Sequence, residues 1–137
     1  MIMYGNQPKD VVLYQAGSSL VTAVGDWLLE HPDISLRLVH STCRSVINGP
    51  LGSAAVAIVD ATDKPGAAAA TLERLLKRIA PSRIAVYTER THAGLEVFVR
   101  VRGPILLLGP MGADDWDACL SALAHVPARS RNRRQTG

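Results

Sequence analysis

The amino-acid sequence predicts one α/β domain in three layers, with a parallel sheet between two layers of helices. Three observations carry this. Short apolar runs alternate with stretches of helical period from residue 9 to residue 127. One of those runs, AAVAIVDA at 54–61, is apolar until its last acid, the pattern of a strand buried on both faces. That run then breaks into "DATDKPG", a turn at a strand's carboxyl end, where open α/β sheets keep their ligand sites.

Each element has its own signal. "DVVLYQA" (10–16) reads as the first strand, and "SSLVTAVGDWLLEHP" (18–32) as a helix, with Leu20, Val24, Trp27 and Leu28 on one face. Ser18 or Ser19 caps its start and Pro32 stands past its end. "ISLRLVHS" (34–41) alternates apolar and polar residues, as a strand near a sheet edge does. "TCRSVINGPLG" (42–52) has room for a short helix before Gly49 and Pro50, and the buried strand follows. "GAAAATLERLLKRIAP" (66–81) sets Leu72, Leu75, Leu76 and Ile79 on one helical stripe, and "RIAVYTE" (83–89) is the fourth strand.

The segment "HAGLEVFVRVRG" (92–103) fits two periods, because Leu95, Val97, Val99 and Val101 alternate while Leu95, Phe98, Val99 and Arg102 match a helix. A helix is expected, since two parallel strands need a crossover between them. "PILLLGP" (104–110) is the fifth strand, and "ADDWDACLSALAHVP" (113–127) a closing helix with Trp116, Leu120, Leu123 and Ala124 inward and acids in its first turn.

With 137 residues, 47% apolar and 20% charged, the chain is sized for one core, expected at 9–127 between an N-terminal extension (1–8) and a basic tail (128–137). The apolar runs are too short to span a membrane, and "MIMYGNQPKD" has no export signal, so a cytoplasmic protein is expected. Cys43 and Cys119 show no paired spacing, and His31, His40, His92 and His125 fall on separate elements, so neither a disulfide framework nor a metal cluster is expected. Cys43 beside Arg44 lacks the downstream Arg of a thiol phosphatase and reads as a thiol in the short helix. The charge of +3 is concentrated in the tail: without Arg129, Arg131, Arg133 and Arg134, 11 Lys and Arg face 12 Asp and Glu. Such a tail reads as a disordered terminus with a salt-dependent affinity for phosphates at most. No recognition-helix module follows residue 127, so nucleic acid is not an expected partner.

Two residues stand where strand-end chemistry would be done: Asp60, closing "VAIVD", and Thr88, closing "RIAVYT". In their layout, residues 9 to 127 resemble the receiver domain of two-component response regulators. The resemblance implies the flavodoxin-like (CheY-like) fold with strand order 2-1-3-4-5. It also puts Asp60 at the phosphoacceptor position and Thr88 at that of a strand-four hydroxyl. The other positions depart from the family. Gln15 and Ala16 stand where an acid pair holds magnesium, Gly109 stands before Pro110 where the family has Lys, and Leu106 or a neighbour replaces an aromatic in the fifth strand. Phosphoryl transfer depends on positioning and charge neutralisation, and losing one electrostatic stabiliser costs about 3 to 4 kcal/mol in the transition state. Magnesium needs carboxylate ligands that Gln15 does not supply, so no Mg²⁺ or other cofactor is expected.

These residues therefore describe a pseudo-receiver: a non-enzymatic signalling or regulatory adaptor that binds another protein without being phosphorylated. Asp60 is expected to cap the turn before "PGAAAA", and Thr88 to satisfy loop backbone. By the resemblance, self-association would use the surface around residues 93–125. Two alternatives stay open. One is a phosphorylatable single-domain response regulator using Asp60. The other is a small phosphate- or nucleotide-binding module using Gly17, Ser18 and Ser19 ahead of free helix amides, although that loop lacks a Walker ending.

Overall fold

The computed structural model describes residues 9–39 and 56–124. The expected short helix at 42–52, with His40, Cys43 and Arg44, lies outside the described residues, as do the extension 1–8, His125 and the tail. Five strands, β1 (Lys9–Tyr14), β2 (Ile34–Val39), β3 (Val56–Asp60), β4 (Ile84–Thr88) and β5 (Ile105–Leu108), form one sheet in the order β2-β1-β3-β4-β5. Every pairing is parallel, with Val11 beside Leu36 and Val56, Val59 beside Val86, and Tyr87 beside Leu107. This is the predicted topology.

Among the described residues four α-helices cover the sheet: α1 (Ser18–Leu28), α2 (Pro65–Leu75), α3 (Ala93–Arg102) and α4 (Ala113–Ala124). Two cores follow from the alternation of side chains along each strand. On one face Val11, Leu13, Ile58 and Tyr87 pack against Leu20, Val24 and Trp27 of α1 and Trp116, Leu120 and Leu123 of α4. On the other, Val12, Tyr14, Val59 and Val86 pack against Ala68, Leu72 and Leu75 of α2 and Leu95 and Val99 of α3. β3 and β4 are buried along their whole length, as central strands covered on both faces must be, whereas β2 and β5 form the edges.

Residues 93–102 are helical, and burial shows how the two periods in this segment coexist. Leu95 and Val99, four apart, are buried, while Val97 and Val101 are exposed, so half of the alternating apolar pattern belongs to the surface. The helix ends at Gly103, whose φ of 102° is left-handed, and a β-carbon there would lie 3.2 Å from Pro81. α2 stops at Leu75, so that Leu76 is the half-buried cap residue rather than a core member. α1 buries Leu20, Val24 and Trp27 but leaves Leu28 half-buried.

Candidate functional site

Parallel strands end together, and the carboxyl ends of β1, β3, β4 and β5 bring Gln15, Asp60, Thr88 and Gly109 to one edge of the sheet. Asp60 is 7% exposed, and both carboxylate oxygens accept backbone N–H bonds. Oδ2 accepts from Gly17 at 2.9 Å, which ties the β1–α1 loop to the end of β3. Oδ1 accepts from Thr62 at 3.0 Å, closing an Asx-type turn over the first loop residues. The helix cap of α2 is Lys64, without a side-chain cap bond, so Asp60 organises the loop before that helix without capping it.

Thr88 is buried and serves its own turn. Its Oγ1 donates to the carbonyl of Arg90 at 2.9 Å and accepts from the Arg90 N–H at 3.2 Å. Gln15 sits in a left-handed turn at φ 60°, donates its N–H to Val39 at 2.9 Å, and buries an Oε1 that has no hydrogen-bond partner among the described residues. Ala16 packs its methyl group against the α1–α4 core.

The fifth strand's end holds the feature that reading the sequence missed. Gly109 faces the ring of Tyr87, and a β-carbon at 109 would lie 2.7 Å from its Cε1 and 2.8 Å from its Cζ, closer than real contacts allow. The tyrosine thus occupies the approach that a long side chain at 109 would need. Its ring is 2% exposed and packs on Trp116, with centroids 5.1 Å apart. Its hydroxyl donates to Oε2 of Glu89 at 2.5 Å, and the same oxygen accepts from Ser19 of α1 at 2.6 Å. The Glu89 N–H donates to Thr62 Oγ1 at 3.1 Å, so Ser19, Thr62, Tyr87 and Glu89 close one network beside Asp60.

The electrostatics follow from these contacts. Hydrogen bonds from Ser19 and Tyr87 hold the Glu89 carboxyl below the usual glutamate value. Burial, then the bond to Glu89, pushes the Tyr87 phenol well above 10.0, so it is a neutral donor at any physiological pH. Across the mouth Arg90 and Asp63, 3.9 Å apart and largely exposed, form an ion pair worth little in energy.

The helix start differs from expectation. Gly17 is the N-cap of α1 and makes no side-chain cap bond, while Ser18 and Ser19 are already helical and Ser19 points to Glu89. The loop's anion-binding capacity is thereby reduced: the Gly17 N–H is committed to Asp60 and the Ser19 hydroxyl to Glu89. Gly17, Ser18, Ser19, Asp60, Thr62, Asp63, Glu89 and Arg90 line a shallow cavity of about 320 Å³.

Positions 15 and 16 bring an amide and a methyl group to this end of the sheet, and the carboxylates that line the cavity are those of Asp60, Asp63 and Glu89. Among the described residues no three His, Cys, Asp or Glu side chains are grouped to hold a metal ion. Burial pushes the Cys119 thiol up to about 11, which leaves little thiolate for chemistry. A second, larger groove of about 570 Å³ runs between α1 and α4, with Trp27 and Trp116 in its lining. Beneath it the buried Asp117 accepts from Trp27 Nε1 at 3.0 Å and from Ser121 at 3.3 Å, joining the two helices.

Among proteins of known structure, the chain has the receiver-domain fold. It is similar to a CheY-like response regulator receiver domain of Methanospirillum hungatei (TM-score 0.62, 14% identity, 95% of this chain and 98% of that one). It is also similar to RcsB of Salmonella enterica, solved bound to promoter DNA (TM-score 0.61, 16% identity, 93% of this chain and 74% of that one). A third is the pilus assembly protein CpaE of Caulobacter crescentus (TM-score 0.60, 15% identity, 83% of this chain and 98% of that one). No family model matches the chain, and no curated protein matches it.

Proposed function

We propose that this receiver-fold chain is a regulatory adaptor that works by binding another protein, with no phosphorylation at Asp60, no bound magnesium and no catalysis of its own. The observation that carries the reading is the ring of Tyr87 against Gly109. A phosphoryl group on Asp60 would need a cation to neutralise it, and the route from position 109 is filled by an uncharged phenol hydrogen-bonded to a carboxylate. Both Asp60 oxygens are meanwhile engaged by backbone donors, a structural use of the carboxylate.

What remains for function is surface. α3 and the adjoining edge strand β5 expose Val97 (64%), Val101 (75%), Ile105 (39%) and Leu108 (52%). Exposed apolar side chains favour association, and these lie in the 93–125 region proposed for a homodimer, with Leu108 on the sheet face that α3 covers and Ile105 on the opposite one. That the fold serves pilus assembly in CpaE as well as response regulation is in keeping with an adaptor role. The described residues contain no helix long and apolar enough to cross a membrane, and we place the protein in the cytoplasm as part of the proposal.

Incubation with acetyl phosphate and magnesium, read by intact mass, tests the phosphorylation claim. No phosphoryl adduct is expected; an adduct lost in Asp60→Asn would overturn the reading in favour of a phosphate-responsive switch. Sedimentation of Val101→Lys tests the surface: a dimer that dissociates supports it, and an unchanged assembly removes this face from the proposal.

A further inference from the structure

The groove between α1 and α4 is apolar at its floor and acidic at its rim. Ala23, Trp27, Met111 and Trp116 supply the apolar lining, and the exposed carboxylates of Asp26, Glu30 and Asp114 stand around it. Neither Lys nor Arg lines the groove. An occupant suited to this surface carries closely spaced guanidinium groups, which pair with carboxylates while their aliphatic stems cover apolar surface.

The chain contains such a segment. Residues 128–137 hold Arg129, Arg131, Arg133 and Arg134 and no acid, and the segment follows α4, which forms one wall of the groove. Ten residues of helix separate Asp114 from Ala124, about 15 Å of rise. Arg129 and Arg134 lie five and ten residues past Ala124, an extended reach of up to about 17 and 35 Å. The tether therefore lets these arginines double back along α4 to the rim. We propose that the α1–α4 groove binds the arginine-rich segment 129–134 of its own chain, so that the protein covers an acidic docking surface until a competing basic partner displaces the segment. Self-association through α3 and β5 is on other elements and is independent of it.

The chain's two tryptophans both line this groove, which makes intrinsic fluorescence a local probe. The test compares the full chain with a full-length variant carrying Gln at 129, 131, 133 and 134, and titrates each with a synthetic peptide of residues 128–137. Acrylamide should quench the variant more strongly than the unmodified chain. The peptide should bind the variant saturably, restore the shielding and lose affinity as salt rises. Asp26→Asn, Glu30→Gln and Asp114→Asn together should weaken that binding roughly tenfold. Equal quenching of both chains with no peptide binding would overturn the proposal, as would peptide binding indifferent to the three acidic substitutions. Shielding that grows with protein concentration would assign the occupant to a second copy and overturn the intramolecular arrangement.

Discussion

The side chain of Tyr87 and the missing side chain of Gly109 are two halves of one arrangement: the phenol ring lies where a β-carbon at 109 would need to be. Neither residue alone shows this. Tyr87 looks like a buried strand aromatic and Gly109 like a turn residue before Pro110, and only their meeting across β4 and β5 closes this edge of the site.

Gly109→Ala should therefore destabilise the fold by about 1 to 3 kcal/mol through overpacking. The same substitution in a Tyr87→Ala background should cost far less, because the clashing ring is gone. Urea unfolding of the four proteins gives the coupling directly; additive effects would show that the ring yields freely.

Asp60→Ala removes the acceptor for two backbone N–H groups and should cost about 1 to 3 kcal/mol. A carboxylate held mainly for chemistry would be removed at little cost in stability. Thermal and chemical unfolding decide between these, with exchange of the Gly17 amide hydrogen expected to accelerate as its acceptor disappears.

Tyr87 links stability to alkaline pH. Its phenol ionises above the ordinary value of 10.0 in the folded protein, so the unfolded chain gives up the proton first. Its contribution is fully present below pH 10 and is lost as pH rises from there toward the folded value. Tyr87→Phe should flatten this part of the stability profile. Glu89 acts oppositely: its lowered folded value makes its contribution present above 4.5, the ordinary value, and lost on acidification through the folded one, to an extent limited by its exposure.

Leu75→Ala should cost about 2 to 5 kcal/mol and Leu76→Ala clearly less, since Leu75 is completely buried and Leu76 half-exposed at the end of α2. Comparable losses would mean that the helix continues past its observed end.

The fold was legible because each element carries a period matched to its burial. The unbroken run of β3 and the stripe of Leu72 and Leu75 determine a layer each, and together they leave few topologies. Residues 93–102 were ambiguous because Val97 and Val101 are apolar yet exposed, and periodicity cannot distinguish a core valine from a surface one. In the candidate site, strand ends placed Asp60 and Thr88, whereas the network of Ser19, Tyr87 and Glu89 joins residues as many as 70 positions apart. The bond between Trp27 and Asp117 spans 90. One local signal did exist: a tyrosine at the end of a buried strand needs a hydroxyl partner, and an acid stands two residues later.

Strand β5 has a consequence for how copies of this chain meet in concentrated solution. It is an outer strand of four residues with Pro104 immediately before it and Pro110 two places after its end. Prolines carry no N–H, so a ladder extended from this edge is interrupted on both sides after a few rungs. Fibrillar stacking by edge-to-edge strand addition is discouraged here even though Ile105 and Leu108 are exposed. Contact between chains on this side is left to side-chain packing, which closes on a partner of matching shape and stops there.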